Sequence, residues 1–323
     1  MLKPTYKVKI GSETFEPGTQ SPLVSIRVNQ DIDIPADSFE TVFGVSDKTT
    51  KIKEGDEVTV QIGYEEDLKE VFKGTVDGVR PGVSDVTVRG LDKATKLLEL
   101  RVNQVYLSMN AGQIVKDLAN KAGIKPDASD GVKFSVYYLD DSKNAHEHIR
   151  ELAKKCGFDA YMTPEGDLVF KKYSKGTVHV LEYGVNVIQA EVQEDRPTVK
   201  SVMVQGESAS SFKGADSWPW LTKKEVSGTK AGTSSMGAEI LVQDASIKET
   251  GAAGDMAGAL MENISRTFSG TVKIVGDAGI KLGETVEIKG MSNSKMNGEF
   301  QVRSVEHYIS KASGFTTQIG WSK

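Results

Sequence analysis

From Tyr6 to about Val102, apolar residues recur at every second position. Tyr6–Ile10, Leu23–Val28, Phe39–Phe43, Glu57–Ile62, Val71–Val76 and Asp85–Arg89 each read as a strand buried on one side, with Gly and Asp marking the turns between them. In the run from Leu23, the expected inward face carries Val24, Ile26 and Val28. Strands this short and this evenly spaced predict a small barrel or sandwich.

The period changes near residue 110. Ala111, Ile114, Val115, Leu118, Ala119 and Ala122 follow helical spacing and stop at Gly123. A second apolar stripe, Ala145, Ile149, Leu152, Ala153 and Cys156, predicts a helix capped by Asp141 or Ser142 and closed by Gly157. Phe158–Met162, the turn Thr163–Asp167 and Leu168–Phe170 then read as a hairpin.

Strand patterns return at Val178–Leu181, Val185–Val192 and Val199–Val204. Residues 207–250 are rich in Ser, Gly, Lys and Ala without a sustained period, and predict a long loop or arm. A helix over 252–268 follows, with Met256, Leu260, Ile264 and Phe268 in line, then strands at 271–275, 284–289, 299–309 and 315–321. The expected organisation is mainly β with an α/β insert. A first β-barrel spans 1–102 and an α/β domain spans 103–173. A second barrel over 174–323 carries the 207–250 arm and the 252–268 helix.

One stretch is written twice. Ile52-Lys53-Glu54-Gly55-Asp56-Glu57-Val58-Thr59-Val60 returns as Ile280-Lys281-Leu282-Gly283-Glu284-Thr285-Val286-Glu287-Ile288, an offset of 228 from residue 52 to 280. At the same offset Phe72 falls on Phe300, so Gly55, Phe72, Gly283 and Phe300 are expected to be equivalent scaffold positions in two copies of one β-module. A shorter echo, Val86–Gly90 against Val202–Gly206, has a different offset.

Composition narrows the function classes. Hydrophobic content of 38% and charge of 26% are those of an ordinary globular chain, long enough here for two or three domains. A net charge of -5 argues against sequence-specific nucleic-acid binding, which calls for a basic face. No apolar run approaches the ~18 residues of a membrane span, so no membrane insertion of its own is expected. The start Met1-Leu2-Lys3-Pro4 does not resemble a signal peptide, and a single cysteine forms no internal disulfide; both fit synthesis in a bacterial cytoplasm.

Candidate chemistry is sparse. His146-Glu147-His148 has a spacing of two, whereas histidines sharing a metal on a helix stand three or four apart. Cys156 lies on an apolar helix face and reads as core filling. The run Asp127–Gly131 lacks the alternating ligands of a calcium loop, and neither a nucleophile elbow nor a phosphate loop occurs. His307, in a strand, reads as holding a turn. No catalytic residue, cofactor or metal is expected. Trp218-Pro219-Trp220, in a polar segment, offers Trp218 and Trp220 either as a partner contact or as a satellite core folded back on its own domain.

The run Gly283–Gly290, then Gly298–Val302, Val305-Glu306-His307 and Gly314–Thr317, preceded by the helix Ala252–Phe268, resembles the closing barrel of contractile-tail hub proteins. That family takes in the phage late control protein D group, the myovirus baseplate hub and the N-terminal part of type VI secretion spike proteins. The order barrel, α/β domain, barrel fits it over the whole chain. The resemblance implies two tube-like β-barrels flanking the α/β domain in a homotrimer of the baseplate. Six such barrels form a pseudo-sixfold ring that adapts a hexameric tail tube to a trimeric spike. The implied partners are the tail tube protein, a spike protein and other baseplate proteins of a phage tail, tailocin or other contractile injection particle. The chain ends at Lys323 directly after the second barrel, so the spike is expected to be a separate polypeptide. Two other classes remain open from sequence: a virion-associated peptidoglycan or polysaccharide hydrolase, and a carbohydrate-binding module with Trp218 and Trp220 as its platform.

Overall fold

The alternation in the first hundred residues builds seven strands: β1 (Pro4–Ile10), β2 (Glu13–Phe15), β3 (Leu23–Asp31), β4 (Ser38–Gly44), β5 (Glu57–Tyr64), β6 (Asp67–Pro81) and β7 (Asp85–Asp92). The computed structural model describes residues 3–18, 21–196, 198–207, 226–234 and 236–323. The strands pair antiparallel in the order β3-β4-β7-β6-β5-β1-β2 and roll around Phe15, Phe39, Phe43 and Phe72. In β3 a bulge between Leu23 and Ser25 turns Val24 outward, leaving it 48% exposed. The inward set is therefore Leu23, Ile26 and Val28, a correction to the strict alternation through Val24.

The middle of the chain forms α1 (Thr95–Glu99), β8 (Gln104–Asn110), α2 (Ala111–Lys121), β9 (Pro126–Ala128), β10 (Lys133–Leu139), α3 (Ala145–Cys156), β11 (Asp159–Met162) and β12 (Leu168–Lys171). Both longer helices start with a capping box, Asn110 with Gln113 and Asn144 with Glu147. The cap of α3 is thus Asn144, not Asp141 or Ser142, because its side chain reaches the Glu147 amide. Gly157 closes α3 in the left-handed region, φ 66°.

The remainder forms β13 (Val178–Glu182), β14 (Val187–Glu194), β15 (Val199–Gly206), β16 (Ser227–Ala231), β17 (Ala238–Asp244), α4 (Thr250–Ile264), β18 (Phe268–Val275), β19 (Thr285–Lys289), β20 (Gly298–Ser310) and β21 (Gly314–Ser322). Two expectations are corrected here. The stretch 207–250, expected as a loop or arm, contains β16 and β17, which flank β15 in a separate three-stranded sheet. The helix expected over 252–268 runs Thr250–Ile264. It packs on β15 and β16 and against α3, so that its buried face joins the α/β core and not that of the second barrel. The cause is close packing. A Cβ at Gly228 of β16 would collide with the α4 backbone at Gly254, so small residues permit an approach that larger ones would block. Across this seam Lys155 of α3 pairs with Asp244 of β17, both side chains mostly buried.

The second barrel comprises β14-β18-β21-β20 with β19 and β13, around Val272, Ile288, Phe300, Val302 and Trp321. Two similar β-barrels therefore flank an α/β body. Among the described residues they share one 13-stranded sheet, joined where β20 pairs with β3.

Candidate assembly site

The duplicated turn folds the same way twice. Gly55 and Gly283 adopt φ +86° and +76°, which favours glycine at both. In each copy the carboxylate one residue later accepts from the amide three residues before it: Lys53 to Asp56 at 3.0 Å and Lys281 to Glu284 at 2.9 Å. The repeat is a structural equivalence through this turn and the strand after it.

Past that strand the constant offset fails. In the first copy Val60 of β5 faces Phe72 of β6; in the second, Val286 faces Phe300. Val286 matches Val58, whose partner is Gly74. Phe300 is thus equivalent to Gly74, and Phe72 to Gly298. This corrects the alignment of Phe72 with Phe300. The ring of Phe72 lies over Gly74, so an aromatic fills the same space from two residues away.

A like exchange occurs across strands. Phe39 of β4 pairs with Gly90 of β7 and covers it, whereas in the second barrel Gly270 of β18 pairs with Trp321 of β21 and is covered by it. Each barrel thereby holds an equivalent aromatic contact in its core, Phe39–Phe72 at 5.1 Å and Phe300–Trp321 at 4.1 Å between ring centroids.

These registers match the strands one to one: β3 with β14, β4 with β18, β5 with β19, β6 with β20 and β7 with β21. Even the bulges recur, between Leu23 and Ser25 as between Val187 and Gln189, and between Val76 and Gly78 as between Val302 and Ser304. The echo of Val86–Gly90 in Val202–Gly206 is not part of this scheme, because β15 belongs to the three-stranded sheet. The segment from β15 to α4 is an insertion between the equivalents of β3 and β4.

The joint between barrels is the pairing of β20 with β3, from Ser304 opposite Asp31 to Ser310 opposite Ser25. On its open face Arg27 lies 4.0 Å from Glu306 and stacks over Tyr308 at 5.2 Å. The equivalent edges at the two ends of the pair of barrels have no partner strand among the described residues. Beyond β18 the outer edge of β14 makes only an isolated bridge at its first residue, Val187 with Tyr183, and is open from Gln189 to Asp195, while β6 from Asp77 to Pro81 pairs only with β7. Such an edge is a template for a further strand.

Beneath the joint, Arg303 sits at the β20 bulge and reaches all three parts. It donates to Asp159 of β11 at 2.6 Å and to both oxygens of Asp33, after β3, at 2.7 and 2.8 Å. Gln301 donates to the other Asp159 oxygen at 2.6 Å. A cleft of about 770 Å³ opens here, lined by Arg150, Asp159, Arg266, Arg303 and Trp321 among others.

His307 is buried in the joint, opposite Val28. Its Nδ1 lies 3.0 Å from the Thr317 hydroxyl, whose proton goes to the Asp277 carbonyl. Nδ1 is therefore the donor, and Nε2 has no polar partner among the described residues. Burial pushes its pKa down to about 4, with Asp277 opposing. A depressed folded pKa contributes stability that is present above the unfolded value near 6.5 and lost as pH falls towards 4. We expect the protein to lose about 3 kcal/mol relative to its His307→Gln variant between pH 7 and 4. Urea unfolding of both across that range checks this; parallel pH profiles would refute it.

The remaining candidates stand apart from the joint. His148 is buried and its Nε2 meets the Asp140 carbonyl at 3.0 Å. Burial first, and Arg150 second, lower the His146 pKa to about 4. Burial raises the Cys156 thiol to about 11, which disfavours the thiolate a nucleophile needs. Asp127 pairs with Lys171 at the surface. Trp218 and Trp220 lie outside the described residues. Sequence reasoning missed Arg27, Glu306 and Arg303, because a strand pattern shows which residues face the core and not which edges meet.

Comparison with known proteins places the fold. The 43 kDa tail protein of prophage MuSo2 from Shewanella oneidensis is 18% identical, with a TM-score of 0.75 over 99% of this chain and 98% of that one. A tail protein from Neisseria meningitidis MC58 is 16% identical, with a TM-score of 0.77 over 99% and 97%. An Escherichia coli component of the type VI secretion system, described as structurally similar to T4 bacteriophage tail proteins gp27 and gp5, is 10% identical, with a TM-score of 0.62 over 98% and 76%. The protein thus has the fold of phage tail proteins and of a type VI secretion component. No curated protein matches by sequence. A family model described as the Alg8 N-terminal domain matches residues 22–311. Since that match covers most of the chain, the protein belongs to the Alg8 N-terminal domain family.

Proposed function

We propose that this protein is the structural, non-enzymatic baseplate hub of a contractile tail or injection system. In this reading it is a homotrimer whose six barrels make a pseudo-sixfold ring between a hexameric tail tube and a trimeric spike. The observation that carries it is the internal joint. One chain already links two equivalent barrels edge to edge through β3 and β20, and among the described residues leaves the same two edges open at its ends. A head-to-tail contact of that kind closes into a ring when its rotation allows. The tail-protein fold over nearly the full chain supports the same reading.

The domain division goes with it as a proposal: two barrels for the ring, and an α/β body, extended by β15–β17 and α4, presented on its outside. The protein would reside in the tail or injection particle. Among the described residues no helix is long and apolar enough to cross a membrane. The carboxylate in the cleft beneath the joint, Asp159, is held by Arg303 and Gln301, an arrangement that suits a clamp better than a general acid.

Mass measurement of the purified protein, alone and mixed with a tail tube protein and a spike protein from the same source, tests the role. A trimer that captures both is expected. A monomer that binds neither at micromolar concentration would refute it, and a cleared zone on cell-wall substrate would favour a hydrolase instead.

A further inference from the structure

We infer that neighbouring chains join through the β14 edge of one and residues 78–81 of β6 in the next, in the register of the internal joint, and that Arg80 and Glu191 clamp this contact. The inference rests on the hub reading above and names its interface.

The equivalences fix which residues meet. Gly78, Val79 and Arg80 match Ser304, Val305 and Glu306, because both strands resume pairing at the same point past their bulges. Glu191 and Asp195 match Arg27 and Asp31, since β14 pairs with β18 as β3 pairs with β4. Carrying the internal register across sets Gly78 opposite Asp195 of the next chain, and Arg80 diagonal to its Glu191. That diagonal is the place where Glu306 meets Arg27 inside the chain. Opposite charges meet again there, with the signs exchanged. Arg80 and Glu191 both lie on the open face, beside Thr87 and Thr271, are exposed, and form no ion pair among the described residues. A second exchange follows the bulge: Arg303 points towards Asp33, whereas its equivalent Asp77 would meet the β14 end where Arg196 follows.

The exchange of signs has a use. Were β14 to approach β20, Glu191 would face Glu306; were β6 to approach β3, Arg80 would face Arg27. Like charges opposite each other on strands are destabilising. These two cross-pairings are thus repelled while the internal joint and its counterpart between chains are attracted, which guards against exchange of barrels between chains.

The test uses charge reversal and cross-linking on the full chain, alone or mixed with tube and spike proteins. Arg80→Glu or Glu191→Arg should weaken association about tenfold per joint, and the double reversal should restore it. Independently, Gly78→Cys with Asp195→Cys, in a Cys156→Ala background, should give covalent dimers and trimers on mild oxidation, whereas Gly78→Cys with Gln189→Cys should not. Circular dichroism confirms that each variant is folded, and the cross-linking arm stands even where a charge variant is not. A wild-type trimer indifferent to both reversals and uncross-linked at 78 and 195 overturns this joint and leaves the hub reading in place. A wild type that stays monomeric and uncross-linked even with its neighbours overturns both.

Discussion

Replacing Trp321 with alanine is expected to cost about 3–5 kcal/mol, the range for deleting a fully buried aromatic. Trp321 is 2% exposed and stacks on Phe300 and Phe268 at the centre of the second barrel. It also roofs Gly270, the neighbour of the β14 edge, so the loss should reach the assembly edge as well as the core. Gly270→Ala should be harmful too, because a Cβ there collides with the Glu191 carbonyl and the Trp321 ring. By contrast Gly258→Ala, in α4 with nothing within 4 Å of the new Cβ, should stabilise by roughly 0.5–1 kcal/mol. Chemical denaturation at one fixed protein concentration compares all three. A loss below about 1 kcal/mol for Trp321→Ala would show that the ring is not the keystone of its barrel.

That aromatic exchange explains how far the sequence could be read. The strands themselves were plain, since period-two burial is written directly in residues such as Val58, Val60 and Ile62. The duplicated turn was plain as well, because Gly55 and Gly283 must both hold a positive φ and the carboxylate after each must cap it. The rest of the duplication was hidden by conserved volume from different positions. Phe72 covers Gly74 where Phe300 occupies the site itself, and Phe39 over Gly90 becomes Trp321 over Gly270. Matching letter to letter therefore pairs Phe72 with Phe300 and slips by two residues. The insertion from β15 to α4 escapes the sequence pattern for a related reason. Its Gly and Ala content signals a loop when no partner is visible, and close backbone contact once α4 lies against Gly228. Of the candidate site, the inward and outward faces were legible and the edge-to-edge joint was not. Pairing between strands about 280 residues apart leaves no local signature.

Asp159→Ala is expected to be about as damaging as loss of Trp321, near 3–5 kcal/mol, by a different route. Asp159 belongs to the α/β body, yet its partners Arg303 and Gln301 lie on β20 and share Arg303 with Asp33 after β3. Removing the carboxylate leaves a mostly buried guanidinium held only by Asp33, whose side chain is 61% exposed, and strips the Gln301 amide of its acceptor. Asp159→Asn keeps an acceptor oxygen and should lose less. Because the cluster spans all three parts, the damage should appear as separation of the α/β body from the barrels. Limited proteolysis should then cut near Tyr173 and Val102 before the barrels unfold. If Asp159→Ala instead unfolds in one step, with no change in cleavage pattern, the three parts are bound mainly by their continuous chain and shared sheet. Loss of under about 1 kcal/mol would mean that water replaces the carboxylate at Arg303, and the clamp would then contribute orientation without stability.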